Sequence, residues 1–387
     1  MAAVKRSLNV GVVGMGSMGV SIARNLGFKG RSSMYLQIHS RSLTKARKVC
    51  DDLSVDGATC AMRLHDKYST MTKWCDVMLL TLKDVHASRS VLLEHPDALL
   101  RHARKGQIIV DHTTVDTETS RECEHEARKR GAIFLDAPMS GSPKAAFNGQ
   151  LTLMVGGDAE TFQRLQSIFR LYADQIHLLG PSGSGSAAKG ISQMLVAIHN
   201  AAAAEAVKAA HELGVDDVTK LMQVLDASWG SSTMLRRNGP TMQDLVRNPD
   251  RMPPTSSATV DALLSDVALL QQGERGGIPI DDYPLLSTSM AILSTASDAG
   301  VGDRDMSSVI HFLDAVNMHA AMSQGSAPPL QRENVTAGAA TDSGDHQPLE
   351  TVESEVQAQP RATATVEGST SREGSEPTLP ENVEFYQ

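Results

Sequence analysis

Short apolar runs alternate with longer amphipathic stretches over the first half of the chain. Among these stretches, Glu118–Arg130 is predicted to be a charged helix and Ala159–Ala173 a further helix. The runs with strand character are Leu8–Val13, Met34–His39, Cys75–Leu82, Gln107–Val110, Ile133–Asp136, Gln150–Val155 and Gln175–Leu179. Strands separated by helices predict an α/β fold built on a doubly wound parallel sheet.

The pattern becomes helical after residue 180. A turn rich in glycine and serine leads into an alanine-rich helix that starts at Ala187 and ends near Gly214, a residue suited to a helix C-cap. Further helical stretches are Val218–Ser228, Ser231–Asn238, Ser257–Gln272, Tyr283–Ala299 and Met306–Met322. These patterns predict a sheet domain at 1–180, an interdomain helix at 181–213, an all-helical C-terminal domain at 214–322 and a tail at 323–387.

The tail differs from the rest of the chain in composition and charge. It is rich in Ser, Thr, Glu, Pro, Gln and Gly, and its few aliphatic residues follow no regular period. We predict that it is disordered, because it cannot bury enough apolar surface to offset the entropy of ordering. Its eleven acidic residues and three arginines place −8 of the net charge of −9 in this segment. The remaining part is nearly neutral, with no basic surplus for a nucleic-acid partner.

A glycine-rich turn follows the first predicted strand. It reads GMGSMG, which places the G-x-G-x-x-G spacing between a strand and a helix. Glycine at these positions permits a tight turn, close approach of a pyrophosphate and close packing of helix on strand. We predict a Rossmann-type dinucleotide site here, and the alternative is a glycine turn without a ligand. The residues assigned to the cofactor are Gly14, Met15, Gly16, Ser17, Met18 and Gly19.

The end of the second predicted strand bears on the choice of cofactor. NAD-binding folds usually carry Asp or Glu here for the ribose hydroxyl, whereas this chain has Ser40 and Arg41. A guanidinium group suits the 2′-phosphate of NADP. The pair therefore favours NADP, with NAD still possible, and the alternative is an ordinary exposed arginine at a helix start.

Lys189 stands near the start of the alanine-rich helix among glycine and other small residues. Burial in apolar surroundings lowers the pKa of a lysine toward neutrality, as a general acid/base requires. The alternative is an exposed lysine that only solvates the helix, as most lysines do.

The cysteines and the apolar runs bear on location. Cys50, Cys60, Cys75 and Cys123 have neither the spacing of a disulfide framework nor that of a metal site, and are typical of free thiols in a reducing compartment. The residues before the first strand are too few for a signal peptide, and no run reaches the ~18 apolar residues of a membrane span. The sequence therefore predicts a cytoplasmic protein without a metal site or a membrane partner.

Four segments together resemble the β-hydroxyacid dehydrogenases, a family that includes 3-hydroxyisobutyrate dehydrogenase and 6-phosphogluconate dehydrogenase. They are the glycine turn at 14–19, DAPMSGSPKAAFNGQLTLMVGGD at 136–158, GPSGSGSAAKGISQ at 180–193 and GVGDRDMSSVI at 300–310. The resemblance covers nearly all of residues 8–320, and the 3-hydroxyisobutyrate dehydrogenase branch is the most similar. It implies NAD(P)-dependent chemistry on a small β-hydroxy acid or its semialdehyde, by a homodimer or higher homo-oligomer.

The resemblance also implies roles for single residues. Lys189 falls on the family's catalytic lysine, which moves the hydroxyl proton of the substrate. The segment that binds the substrate carboxylate is Ser-Gly-Gly in the family, and here it is Ser140, Gly141 and Ser142. Thr114 falls on the threonine of a loop beside the nicotinamide.

The remaining cofactor assignments are Leu82, at the end of a predicted strand, and the pair Ser40 and Arg41, which falls on the Asn-Arg pair of NADP-using members.

Two positions depart from the family pattern. Gln193 stands where the family has a substrate-binding asparagine, and Ser265 replaces the lysine of a Lys-Asp pair beside the cofactor. These departures keep two other hypotheses open. One is a dinucleotide-binding interaction module with little or no activity, and the other is a reductase of an imine or an unusual carbonyl.

Overall fold

The computed structural model describes residues 7–30, 34–215, 217–271 and 277–313. The predicted disordered tail at 323–387 and the end of the predicted helix at 306–322 lie outside these ranges. The described strands are β1 Leu8–Val13, β2 Met34–His39, β3 Ala61–His65, β4 Val77–Leu80, β5 Ile108–Asp111, β6 Ile133–Asp136, β7 Met139–Ser140, β8 Leu151–Gly156 and β9 Ala173–Gly180.

These strands form one sheet in the order β3-β2-β1-β4-β5-β6-β8-β7, with β9 paired to β8. Strands β1 to β6 are mutually parallel, as expected of a Rossmann-type sheet. The prediction of a doubly wound, Rossmann-type fold is confirmed, but β8 runs antiparallel to β6 and to β7. The short β7 turns the chain back beside β8, and this reversal is not visible in apolar periodicity.

Strand β3 was not predicted from the sequence. It lies at the edge of the sheet, pairs only with β2 among the described strands, and its first four residues are exposed or half-buried. An edge strand with little buried surface lacks the continuous apolar run that identifies the central strands.

Helices cover both faces of the sheet. Apolar side chains pack against it in two clusters, one on each face, that include the fully buried pairs Val10 and Val12 and Met78 and Leu80. The helices of this part are α1 Ser17–Lys29, α2 Leu43–Val55, α3 Tyr68–Thr72, α4 Val85–Arg89, α5 Thr117–Lys129, α6 Pro143–Asn148 and α7 Ala159–Phe169.

The second half of the described chain is helical, as predicted. Its longest element has 29 residues, which at 1.5 Å per residue span about 43 Å. A separate apolar cluster lies among its helices. The helices are α8 Ser184–Glu212, α9 Val218–Asp226, α10 Thr233–Arg247, α11 Val260–Ala268 and α12 Pro284–Ala296, followed by a 3₁₀ turn at Met306–Phe312. The division into sheet domain, interdomain helix and helical domain stays a prediction.

Helix α10 continues beyond Asn238, where the sequence indicated its end. Pro240 lies inside the helix, although proline removes one backbone donor. Tertiary packing overrides this local cost, because Gly239 and Met242 are buried in the helical cluster. The side chain of Asn238 also donates a hydrogen bond of 2.6 Å to Asn200 on α8.

Candidate active site

The glycine turn between β1 and α1 needs glycine for two steric reasons. Gly14 has a φ of +97°, and a Cβ there would lie 2.2 Å from the carbonyl oxygen of Thr81. A Cβ on Gly19 would lie 1.9 Å from the carbonyl oxygen of Gly14. Both residues therefore let the turn, the first helix and the loop after β4 lie in close contact.

Gly16 plays a different part in the same turn. Nothing lies within 4 Å of the position of a Cβ on Gly16, so its surroundings are open. Gly16 is also the N-cap of α1 and has no side chain to accept an amide hydrogen of the first turn. The N-caps of α2, α5 and α7, by contrast, accept such a hydrogen with Ser42, Asp116 and Asp158. An open approach to uncapped amides fits a dinucleotide pyrophosphate.

Ser40 and Arg41 follow β2 directly, as predicted. Ser40 is half-buried and Arg41 is exposed, at the entry to α2. The ring of Tyr68 lies against His39, the last residue of β2, with 4.3 Å between centroids and a tilt of 43°. An exposed guanidinium at this strand end can take a 2′-phosphate.

The loops after β4 and β5 are joined by hydrogen bonds. The amide of Leu82 donates to Thr113 Oγ1 at 3.1 Å, and the amide of Thr113 donates to Asp111 Oδ1 at 2.9 Å. Ser88 Oγ donates to the other oxygen of Asp111 at 2.5 Å. Leu82 and Thr114 are half-exposed beside these buried contacts. The structure thus brings both residues to neighbouring loops at one edge of the sheet.

The segment Ser140 to Ser142 lies where β7 ends and α6 begins. Ser140 pairs with Thr152 of β8, and Gly141 has a φ of +145°, which favours glycine. Ser142 is the N-cap of α6, and its Oγ accepts the amide hydrogen of Ala145 at 3.2 Å. The hydroxyl of Ser142 therefore has a local structural use where the family pattern has glycine.

Asp136, at the end of β6, holds the start of α8 against the sheet. Its side chain is fully buried and accepts the amide hydrogens of Gly183 at 2.7 Å and Ser186 at 2.8 Å. A carboxylate that caps these amides explains why α8 starts at Ser184, ahead of the predicted Ala187. Strand β8 contacts both this helix start and the segment Ser140 to Ser142. At the helix start the contact is close, because a Cβ on Gly185 would lie 2.2 Å from the carbonyl oxygen of Met154 on β8.

Lys189 is buried in the second turn of α8, with 8% of its surface exposed. Burial lowers the pKa of its ammonium, and the carboxylate of Asp266 on α11 opposes that shift. The alternative prediction, that Lys189 is an exposed lysine that only solvates the helix, is therefore wrong.

Gln193 and Asp266 extend this group. Gln193 Nε2 donates to Asp266 Oδ2 at 2.6 Å, and both side chains are half-buried. Burial raises the pKa of Asp266, while Lys189 and the Gln193 hydrogen bond lower it. Ser265, the neighbour of Asp266 on α11, is exposed.

Comparison with known proteins identifies the family. Residues 9–180 match a family model described as the NAD binding domain of 6-phosphogluconate dehydrogenase. Residues 183–313 match one described as NAD-binding of NADP-dependent 3-hydroxyisobutyrate dehydrogenase. The chain belongs to the β-hydroxyacid dehydrogenase family. As a member it is an oxidoreductase, and its cofactor is NADP or NAD.

Individual relatives agree with this membership over most of their length. The chain is 27% identical over 317 residues to L-threonate dehydrogenase of Escherichia coli, covering 81% of this chain and 98% of the relative. It is 28% identical over 310 residues to human mitochondrial 3-hydroxyisobutyrate dehydrogenase, covering 79% and 86%. A structure of 3-hydroxyisobutyrate dehydrogenase from Salmonella typhimurium has a TM-score of 0.61 at 26% identity, covering 78% of this chain and 99% of that one.

Several residues of this β-hydroxyacid dehydrogenase site were missed by sequence reasoning. Asp136 and Asp111 organise the loops beside the predicted residues, and each ends a buried strand. A carboxylate at the end of a parallel strand was the available signal, since that edge of the sheet carries the ligand. Asp266 was visible only as the retained half of the family's Lys-Asp pair.

Two further findings concern partners. No helix within the described ranges has the length and apolarity needed to cross a membrane. The same ranges contain no group of three or more His, Cys, Asp or Glu side chains arranged to hold a metal ion.

Proposed function

We propose that this β-hydroxyacid dehydrogenase is an NADP-dependent enzyme that interconverts a small β-hydroxy acid and its semialdehyde, with Lys189 as general acid/base. The observation that carries the proposal is the burial of Lys189 in the second turn of α8, where the charge of the Asp266 carboxylate acts on its ammonium. Burial lowers the pKa of the Lys189 ammonium from its ordinary value, which is the direction that a general acid/base requires. The human and E. coli relatives, which carry the names of hydroxy-acid dehydrogenases, support the substrate class.

The substrate carboxylate would bind at the turn from β7 to α6. Ser140 supplies a hydroxyl there, and the amides of Gly141 and Ser142 supply backbone donors. Hydrogen bonds from uncharged donors to a carboxylate are charge-assisted and fix its orientation. Strand β8 contacts both this turn and the start of α8, which supports a position opposite Lys189.

Lys189 moves the proton of the reacting oxygen. When the hydroxy acid is oxidised, the neutral amine takes the hydroxyl proton. When the semialdehyde is reduced, the ammonium donates a proton to the carbonyl oxygen. Hydride transfer would be the chemistry that a nicotinamide cofactor supplies when bound.

The turn at Gly14 to Gly19 would hold the pyrophosphate on the uncapped amides of α1. The described loops at Leu82 and Thr114 would border the nicotinamide, and Ser265 would contact the cofactor from α11. Preference for NADP follows from Ser40 and Arg41, because no carboxylate stands at these two positions to repel a 2′-phosphate.

A substrate panel tests the function. Purified protein is assayed for NADPH oxidation with semialdehydes, keto acids and cyclic imines, and for NADP⁺ reduction with 3-hydroxyisobutyrate and L-threonate. We expect turnover with the hydroxy acids and semialdehydes. Turnover with cyclic imines alone would contradict the proposal and support an imine reductase. NADPH binding without turnover of any compound would support the interaction module.

Variants of Lys189 test the mechanism. A positioned acid/base contributes about 10²–10⁴-fold in rate, so Lys189→Ala should lose at least a hundredfold in kcat while NADPH still binds. Lys189→Arg should not restore turnover, since a guanidinium stays protonated. The matched control is Lys220→Ala, which removes an exposed lysine of α9. If Lys189→Ala keeps more than about a tenth of wild-type turnover, the acid/base assignment is wrong.

The assembly is proposed to be a homodimer or higher homo-oligomer. Ile191 and Leu195 lie one turn apart on α8 and are 53% and 43% exposed. An apolar strip exposed on a long helix is typical of a protein interface. Light scattering after size exclusion should show a dimer or larger species that Ile191→Asp with Leu195→Asp dissociates. Cys50, Cys60, Cys75 and Cys123 form no disulfide bond among the described residues, which supports the proposal of a cytoplasmic location.

A further inference from the structure

The amide of Gln193 is used in a way that the family pattern does not indicate. Gln193 lies four residues after Lys189, so both side chains leave the same face of α8. Its Nε2 donates to Asp266 on α11 at 2.6 Å. The Asp266 carboxylate can only accept, which fixes the orientation of the Gln193 amide.

Close packing holds the two helices together at this point. A Cβ on Gly190 would lie 2.6 Å from Leu270 Cδ2, in the turn that follows α11. Because Gly190 has no side chain, α11 and the turn that follows it can approach α8 closely between Lys189 and Gln193. Asp266, one turn before Leu270, is carried to the same face.

We propose that Gln193 and Asp266 are positioning residues for Lys189: the Gln193 amide fixes the Asp266 carboxylate as the counter-ion of the Lys189 ammonium. This inference rests on the proposed acid/base role of Lys189. It assigns Gln193 to the proton chemistry of the site, in addition to any contact with the substrate.

The surrounding charges show why a counter-ion is needed. Lys189 is buried and lies in the second turn of α8, where the positive end of the helix dipole disfavours an ammonium. The buried carboxylate on the sheet side is Asp136, and its oxygens accept the amides of Gly183 and Ser186 at the helix start. On the α11 side the charge that acts on Lys189 is Asp266. Burial raises the pKa of Asp266, and the hydrogen bond from Gln193 acts against that shift by favouring the ionised form.

The test measures the protonation of Lys189 directly, without a substrate. The protein is labelled briefly with acetic anhydride at a series of pH values, and mass spectrometry follows acetylation of the peptide that contains Lys189. Only the neutral amine reacts, so the pH midpoint of labelling reports the pKa of the Lys189 ammonium. Asp266→Asn should lower the midpoint by on the order of one pH unit, because a nearby opposite charge is lost.

Further variants separate positioning from a general structural effect. Gln193→Leu should move the midpoint in the same direction by a smaller amount, and Asp266→Glu should restore the wild-type value. Glu205→Gln, which removes an exposed carboxylate elsewhere on α8, should leave it unchanged. Circular dichroism and NADPH binding confirm that each variant is folded. An unmoved midpoint in Asp266→Asn, or in Gln193→Leu, overturns the inference.

Failure of this inference can be told apart from failure of the proposed function. The labelling midpoint depends only on the environment of Lys189. The function depends on turnover and on its loss in Lys189→Ala. In an active enzyme, Asp266→Asn should also lower the pH above which reduction of succinic semialdehyde by NADPH declines. A merely structural role would reduce turnover equally at every pH.

Discussion

The hydroxyl of Thr81 donates a hydrogen bond of 2.8 Å to the carbonyl oxygen of Gly14, and this contact joins the loop after β4 to the glycine turn. The amide of Thr81 also donates to the carbonyl oxygen of Val13 at 2.9 Å. A Cβ on Gly19 would enter the same space, 2.4 Å from Thr81 Oγ1. The three glycines of the turn therefore differ in their surroundings: Gly14 and Gly19 lie against backbone atoms, whereas the position of a Cβ on Gly16 is open.

Alanine substitutions should distinguish Gly19, which is needed for stability, from Gly16, which is needed for cofactor binding. Gly19→Ala forces a methyl group against Gly14 and Thr81, so it should lower the free energy of unfolding by about 2 kcal/mol or more. Gly16→Ala meets no protein atom within 4 Å, and its stability cost should stay near the ~1 kcal/mol of a weaker N-cap. Its affinity for NADPH should nevertheless fall by about tenfold or more, since the methyl group occupies the approach of the pyrophosphate.

Urea unfolding and fluorescence titration with NADPH check both statements. Wild-type affinity in Gly16→Ala would show that the pyrophosphate does not approach that residue. Wild-type stability in Gly19→Ala would contradict the close packing of α1 on the loop after β4.

Local patterns in the sequence predicted the parts of this fold that depend on local interactions. The buried strands β1, β2 and β6 were predicted with their observed bounds, because a strand covered on both faces is a continuous apolar run. The predicted strand Gln150–Val155 corresponds to β8, but its antiparallel direction depends on the neighbouring strands and was not predicted. The edge strand β3 was missed altogether. Helix α10 passes through Pro240 because its packing on α8 outweighs the local cost.

The same division holds for the site. An acid/base role for Lys189 was predicted from its small neighbours and from the resemblance, and that role stays a prediction. Its burial contradicts only the alternative of an exposed lysine. The hydrogen bond between Gln193 and Asp266 joins residues 73 positions apart, so no local pattern could show it. Asp136 was quoted within a family segment, but its use as a cap for α8 requires the fold.

Arg41 should control the choice between cofactors. A charge-assisted contact to the 2′-phosphate contributes roughly 1.5–3 kcal/mol, so Arg41→Ala should weaken NADPH binding by about tenfold or more. NADH lacks that phosphate and should bind nearly as before. Isothermal titration with both cofactors makes the comparison, with Arg47→Ala on the exposed side of α2 as a matched control. An equal loss for the two cofactors would place the 2′-phosphate elsewhere.

We expect the two polar groups of Ser142 to have different roles: the hydroxyl caps α6, and the backbone amide binds the substrate. Its hydroxyl accepts the Ala145 amide at the start of α6. Ser142→Ala should then cost about 1 kcal/mol of unfolding free energy, whereas Ser142→Gly should cost only a few tenths. Both variants should keep KM close to wild type, because the amide of residue 142 is retained. A large rise in KM in both variants, without loss of stability, would show instead that the hydroxyl binds the substrate.

His112 should give the fold a characteristic dependence on pH. The side chain is fully enclosed between β5 and the chain after β6, with Nδ1 at 2.6 Å from the carbonyl oxygen of Ala137 and Nε2 at 3.0 Å from the hydroxyl of Tyr172. Because the carbonyl can only accept, Nδ1 carries the proton and Nε2 accepts from Tyr172. This neutral tautomer satisfies both partners. Burial lowers the pKa of His112 to about 4 from an ordinary value of 6.5.

The sign of the effect follows from proton uptake. Between pH 6.5 and about 4 the unfolded chain has a protonated histidine at this position while the fold keeps it neutral, so the unfolded state binds more protons. The stability contributed by His112 is therefore complete above pH 6.5 and decreases as the pH falls toward 4. At about 1.4 kcal/mol per pH unit, the loss across this window is about 3 kcal/mol.

His112→Gln retains a donor for Ala137 and an acceptor for Tyr172 but does not titrate. Urea unfolding at a series of pH values should thus show a flatter acid limb in His112→Gln than in wild type, while a control substitution of the exposed His177 by Gln should not change the slope. Equal slopes in wild type and His112→Gln would mean that His112 becomes protonated in the folded protein as readily as in the unfolded chain.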